Sequence, residues 1–462
     1  MKVLTDLRQI LGEQGVLDAD TLSERAAGIW RQDESLSGIA LARPDSTGGV
    51  AKILAYCHEN RIPVITHGGL TGLVHGADTR DDAVILSLER MNRIESIQPN
   101  QRTLTAQAGV TLSAAQEAAA EEDLIFPLDL GARGSATLGG NAATNAGGNR
   151  VLRYGMMRDL VLGVEAVLAD GTVINALNGL VKNNAGYDLK QLFLGSEGTL
   201  GVITRLTLRL FEAPQTRCMA LTGVSDFEAV KGLLRHMDRC LGGALSAFEV
   251  LWSDYYALVT SPPARSQPPV PHGHSYYVLL ESQGVDAELD QQRFQAALES
   301  ALNQGLIADA AVATSERDCE GFWGIRDDVD QVFVDGPALL FDVSLPIDDM
   351  EYYVAEVKQR ISNTQAKACW VFGHVGDGNL HLAVQTPPSV VTDRRTIEQC
   401  VYEPLAVCKG SVSAEHGIGL EKKDWLPISR SQAEIDLMTS LKRSLDPKSI
   451  LNPGKVVDVQ PW

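Results

Sequence analysis

Positive charge is scarce in this chain. Forty lysines and arginines stand against 59 aspartates and glutamates, a net charge of −19. That balance argues against a nucleic-acid partner or an anionic membrane surface, both of which need a basic face. Long apolar runs are also missing, and none approaches the roughly 20 residues that span a bilayer. Cysteine is thin, with seven in 462 residues and no C-x-x-C pair. Such an odd, scattered set argues against a disulfide framework or a cysteine zinc site, and predicts reduced thiols in a cytoplasmic protein. The first twenty residues, MKVLTDLRQILGEQGVLDAD, are too acidic and too periodic for a signal or transit peptide. Leu4, Leu7, Ile10 and Leu11 instead mark one face of an amphipathic helix.

What is present is an ordinary globular balance, 44% hydrophobic and 21% charged, in a length that suits two or three domains. From about Val50 to Leu210, β-rich runs (RIPVITHGG, DAVILSL, TLTAQAGV, GVEAVLADGTVI, GTLGVITRLTLRL) alternate with glycine clusters and short helices. Beyond the break at Pro214, helix formers increase, as in AELDQQRFQAALESAL and DDMEYYVAEVKQRI, with strands such as HSYYVLLES and ALLFDVSLP. The pattern predicts an α+β protein of two domains. Residues 1–49 are expected as a helical segment on the first domain, 50–213 as that domain, and 214–462 as the second.

Three glycine-rich segments stand out. Pro63 to Ala77, PVITHGGLTGLVHGA, follows a short strand, and Gly68, Gly69, Gly72 and Thr71 can turn backbone and hydroxyl donors toward a pyrophosphate. Asp129 to Gly148, DLGARGSATLGGNAATNAGG, lacks the bulk to build a core, and close approach to a ligand explains it. Leu194 to Thr204, LGSEGTLGVIT, sets Glu197 among glycines, where it could accept a hydrogen bond from a sugar hydroxyl.

The segment GHVGDGNLHL, Gly373 to Leu382, reads as a hairpin turning on Asp377-Gly378. That register sets His374 opposite His381, with Cβ atoms roughly 4.5–5.5 Å apart, close enough to share a divalent cation. SVSAEHGIG supplies Glu415 as a third ligand. Two imidazoles and a carboxylate suit Zn²⁺, with Mn²⁺ or Fe²⁺ as alternatives. The same donors would also serve a metal-dependent hydrolase.

The glycine loops, NNAGYDLKQLFLGSEGTLG and the tail LDPKSILNPGKV closely resemble flavoproteins of the vanillyl-alcohol oxidase (PCMH) type with an FAD-linked oxidase C-terminal domain, over about residues 35–458. Within that family the match is greatest to D-2-hydroxyglutarate dehydrogenases, with D-lactate and glycolate dehydrogenases more distant. The resemblance implies an FAD-binding PCMH-type domain and an α+β substrate domain whose segment 445–458 returns to the flavin. It implies FAD contacts from Thr66, His67, Gly68, Gly69, Leu70, Thr71, Gly72 and Gly76 at the pyrophosphate. Pro127, Asp129, Gly134, Leu138, Gly139, Gly140, Asn141, Thr144, Asn145, Gly147 and Gly148 would line the ring and ribityl chain. Glu197, Gly198, Gly201, Val202 and Ile203 would face the adenosine half, and Asn452 the flavin ring. Relatives with covalent flavin usually carry a histidine where this chain has Leu70, so noncovalent FAD is expected.

The resemblance also places metal on His374, His381 and Glu415, the general base on His416 and a substrate-carboxylate anchor on Arg326. The implied reaction is oxidation of a small D-2-hydroxy acid, with electrons passed to an electron-transfer flavoprotein, a quinone or a cytochrome. Three positions depart from the hydroxyglutarate pattern: Asp330 where Thr is typical, Leu340 where Lys is, and Ala383 where Asn is. Losing a cation and two hydrogen-bonding groups, and gaining an anion, predicts a pocket for a shorter or more apolar acid.

Overall fold

The structure, a computed structural model, describes residues 2–387 and 394–459. The chain forms two compact units, one of Met1–Gly148, Gly155–Ala213 and Glu415–Trp462, the other of Asn149–Tyr154 and Pro214–Ala414. The first differs from expectation at both ends. Residues 1–49 are more than a helical appendage, because Ala40–Ala42 pairs in parallel with Val84–Ser87 and Val16–Asp18 pairs with Ala40–Ala42. The returning segment is also far longer than 445–458.

In the first unit the β-rich runs became strands. A four-stranded sheet runs in the order Val16–Asp18, Ala40–Ala42, Val84–Ser87, Val64–His67. Val84, Ile85, Val64 and Ile65 are fully buried in it, as strands covered on both faces require. Helix Thr47–Asn60 is capped at its start by Ser46, which accepts from Gly49 N–H, and ends on Arg61 in the left-handed region. Helix Lys2–Leu11 turns Leu7 inward, as its periodicity predicts. A second, antiparallel sheet runs Val173–Ala176, Val161–Val167, Val202–Arg209, Thr103–Gln107, Ile94–Gln98.

The second unit is built on a seven-stranded antiparallel sheet, in the order Asp309–Val312, Thr216–Val224, Tyr276–Gly284, Leu245–Trp252, Ala368–Gly373, Asn379–Gln385, Ala338–Ser344. One face carries Leu221, Leu251, Tyr277, Leu279, Phe372 and Ala383, packed with Tyr255 and Val259 of helix Ser253–Thr260 and with Phe322 and Ile325 of helix Glu316–Asp327. Alternation along the strands puts Glu249, Asp342 and His381 on that same face. No helix among the described residues is long and apolar enough to cross a membrane.

Candidate flavin cradle and imidazole cluster

In the first unit, strand Val64–His67 delivers the chain into the first glycine loop. Gly69 is forced by its neighbours, since a Cβ there would sit 1.9 Å from Ser135 O. Gly72 and Gly134 border open space, with nothing within 4 Å of an added Cβ. Thr66 Oγ1 and Asn141 Nδ2 are buried without a partner among the described residues. Each such orphan costs about 1–3 kcal/mol, so the cradle fits a polar ligand that supplies the missing bonds. Thr137 caps helix Leu138–Thr144, and Asn145 ends it at φ 51°.

Several expected FAD contacts also have structural duties. His67 is buried, and its Nε2 lies 2.9 Å from Ala77 O, stapling the loop shut. Gly139 lets the helix approach Ala108, whose Cβ would be 2.6 Å from an added one, and Gly201 makes room for the Phe193 ring. Val202 and Ile203 are buried strand residues paired with Val167 and Ala166. Glu197 turns its carboxylate to the backbone, where Oε1 accepts from Ile418 N–H at 2.7 Å and Oε2 from Gly419 N–H at 2.8 Å. Burial raises its pKa, partly offset by those two bonds. Asn452 bridges Thr66 N–H and Glu197 O, at 3.0 and 2.7 Å. Glu415 Oε1 accepts from Gly148 N–H at 2.6 Å, and a Cβ on Gly147 would meet that same oxygen at 2.4 Å. Leu70 adopts φ 54°.

Burial lowers the His67 pKa to about 4. The unfolded chain therefore binds a proton below about pH 6.5 that the folded chain refuses until about pH 4. Stability from this group is full above that window and falls as pH drops through it, by roughly 3 kcal/mol in all. Denaturant titrations at pH 7 and pH 4.5 should show the loss, and His67→Gln should flatten it.

In the second unit, two imidazoles meet above the sheet. Each offers a nitrogen within 4.8 Å of one on the other, with ring centroids 5.2 Å apart at 81°. The hairpin register differs from expectation, for Phe372 pairs with His381 and His374 lies outside the strand. A 3₁₀ turn, Val375–Asp377, lengthens the connection, and Asp377 and Asn379 both donate to His374 O. The extra turn swings His374 back over the sheet. Sequence reasoning missed what holds it: Glu249 Oε1 lies 2.5 Å from His374 Nδ1, while Oε2 accepts from Arg326 Nε at 2.9 Å. Burial pushes the Glu249 pKa up, but His374 and Arg326 outweigh it and hold the group at about 2. The one signal was a lone acid inside the apolar run LSAFEVLW. Asp342 is similar: fully buried beside His381, it accepts from Asn379 Nδ2 at 2.8 Å and from Ala414 N–H at 3.0 Å.

Arg326 is buried rather than a surface cation, and its guanidinium lies 5.4 Å from the Phe372 ring centroid. Leu340 pairs with Ala383, and Ala383 with Trp370, one row along the sheet from Asp342, His381 and Phe372. Ala383 is fully buried, Leu340 partly so, and Asp330 exposed. Glu415 and His416 belong to the first unit and directly follow Ala414 in the chain.

Residues 39–177 match the FAD binding domain family, and residues 213–456 match FAD linked oxidases, C-terminal domain. A mitochondrial D-2-hydroxyglutarate dehydrogenase from Bos taurus is 42% identical, over 93% of this chain and 78% of its own length. The chain belongs to the FAD-linked oxidase family. A putative mitochondrial D-lactate dehydrogenase from Schizosaccharomyces pombe is 38% identical over 90% of this chain and 81% of its own. A D-2-hydroxyglutarate–pyruvate transhydrogenase from Saccharomyces cerevisiae is 34% identical over 98% and 94%. Among solved structures, p-cresol methylhydroxylase shares the PCMH-type fold at a TM-score of 0.78 and 15% identity, covering 99% of this chain and 96% of that one. The cytoplasmic placement expected from the thiols does not stand, because relatives from Bos taurus and Schizosaccharomyces pombe are mitochondrial proteins. Reduced, scattered cysteines report a compartment's redox poise and not which compartment it is.

Proposed function

We propose that this protein oxidises a D-2-hydroxy acid to the 2-oxo acid, with noncovalent FAD and a divalent cation. The observation that carries the reading is the His374–His381 pair beside the Arg326 guanidinium, in a member of a flavin family. FAD held in the glycine-lined cradle would supply a hydride acceptor for the substrate Cα–H. Zn²⁺, or Mn²⁺ or Fe²⁺, would be held by His374, His381 and Glu415 and would acidify the substrate hydroxyl. His416 takes the hydroxyl proton as general base. Arg326 binds the substrate carboxylate. Electrons then leave to an external acceptor, an electron-transfer flavoprotein, quinone or cytochrome. In an anaerobic cuvette, D-2-hydroxyglutarate, D-lactate, D-malate or D-2-hydroxybutyrate should bleach the flavin, and a chelator should stop it. If none of the four bleaches it, the reading is wrong.

The row Leu340–Ala383–Trp370 favours an acid shorter or more apolar than hydroxyglutarate. Successive same-face residues lie about 7 Å apart along a strand. A five-carbon diacid extending from His381 would thus set its distal carboxylate on apolar side chains. Leu340→Lys should raise the kcat/KM ratio of D-2-hydroxyglutarate over D-lactate by about 10-fold or more. Steady-state kinetics of the two substrates checks this, and an unchanged ratio would place the distal pocket elsewhere.

A further inference from the structure

Arginine has no hydrogen-bond acceptor, so Arg326 Nη2, 3.0 Å from His374 Nε2, must be the donor. His374 Nε2 therefore carries the lone pair. Its Nδ1 then holds the proton and donates it to Glu249 Oε1, 2.5 Å away. The tautomer is set by Glu249, and it is the one an Nε2 metal ligand needs. The same carboxylate takes Arg326 Nε through its other oxygen, at 2.9 Å. Helix Glu316–Asp327 is pinned a second time one turn earlier, where Trp323 Nε1 donates to Glu281 Oε2 at 3.1 Å. Glu249 and Glu281 are among the most deeply buried residues of the sheet, at 1% and 0% exposure. Two buried acids under one helix turn are costly unless each is paired, and here each is.

We infer that Glu249 is a positioning residue that makes Arg326 and a divalent cation compete for the His374 Nε2 lone pair, so that metal loading releases Arg326 Nη2 for the substrate carboxylate. One lone pair serves one partner at a time. When a cation takes it, Arg326 keeps its Nε bond to Glu249 and pivots about that bond. Its Nη2 donor, no longer paired, is then offered to an anion. Metal and substrate carboxylate are coupled through a single imidazole, and the coupling runs both ways. This inference rests on the dehydrogenase reading above.

The test uses the flavin-loaded enzyme, stripped with EDTA and titrated with Zn²⁺ in a calorimeter. Glu249→Gln should weaken Zn²⁺ binding by about 10- to 100-fold, the usual loss when the partner of a metal-ligating histidine is removed. Arg326→Lys, which keeps the Glu249 charge paired, should do the opposite and tighten Zn²⁺ by about 3-fold or more, since a competing hydrogen bond is gone. A merely structural Arg326 gives weaker or unchanged Zn²⁺ binding, and that result overturns the inference. In the unaltered enzyme, Zn²⁺ should tighten binding of 2-oxoglutarate or pyruvate, read as a flavin absorbance shift, and Arg326→Lys should cut that enhancement by about 3-fold or more, leaving the part due to direct coordination. Glu249→Gln with unaltered Zn²⁺ affinity also overturns the inference while leaving the dehydrogenase reading intact. Absence of any Zn²⁺ binding by the unaltered enzyme overturns the metal reading itself. Circular dichroism and thermal unfolding separate lost fold from lost affinity, and Arg326→Lys decides the matter if Glu249→Gln does not fold.

Discussion

Replacing His381 by alanine is expected to lower turnover of a D-2-hydroxy acid by about 10³-fold or more while leaving the flavin spectrum and thermal stability nearly unchanged. The size follows from what His381 touches. It sits between Asp342, 3.9 Å from its Nδ1, and the His374 ring, and is itself only partly buried. On the proposed function, removing it takes away a metal ligand without opening a large cavity. The flavin cradle belongs to the other compact unit and is built without it. Anaerobic single-turnover bleaching, compared with the parent at matched flavin content, measures the loss directly. A decrease below about 10-fold would mean that the imidazole pair holds no catalytic cation.

Gly69→Ala is expected to have the second large effect, on the cofactor rather than on chemistry. Its Cβ would lie 1.9 Å from Ser135 O and 3.0 Å from Ala136 Cα, both backbone atoms. Neither can rotate away, so the first glycine loop must shift against the segment before helix Leu138–Thr144. Thr66 and Asn141, the two buried orphan donors, lie on the two elements that would be pushed apart. The protein should purify with little or no flavin, and added FAD should bind at least 100-fold more weakly, about 2.7 kcal/mol. Flavin absorbance per chain after gel filtration checks this. Gly48→Ala, in helix Thr47–Asn60 and away from the cradle, meets nothing within 4 Å; it is the matched control and should keep its flavin.

Much of this was legible in the residues, for identifiable reasons. Alternating and continuous apolar runs gave the strands, because pleat and burial act locally. The Asp377-Gly378 signal brought the two histidines together, yet the pairing was wrong by two residues. Whether such a turn is two residues long or a longer 3₁₀ connection depends on Glu249, 125 residues away, which pulls His374 back over the sheet. Long-range partners were the general blind spot. Glu197 reads as a loop carboxylate because nothing near it shows that Ile418 and Gly419 will claim both oxygens. Glycine clusters announced a ligand cradle, but spacing alone could not separate glycines that face open space from those, such as Gly139, that let two backbones touch.

The segment Glu415–Trp462 completes the first unit from the far end of the chain. Leu451 bridges to Val64 at the start of the glycine loop, and Thr66 donates to Asn452, 386 residues away. Closing so long a span is slow, since its entropy is lost before its contacts form. On the ribosome, the strand that leads into the first glycine loop therefore waits, with an open edge, until Leu451 and Asn452 have been made. A nonsense codon ahead of Leu451 would leave that edge open and yield a flavin-poor, aggregation-prone product even though the imidazole cluster's own unit had already been made.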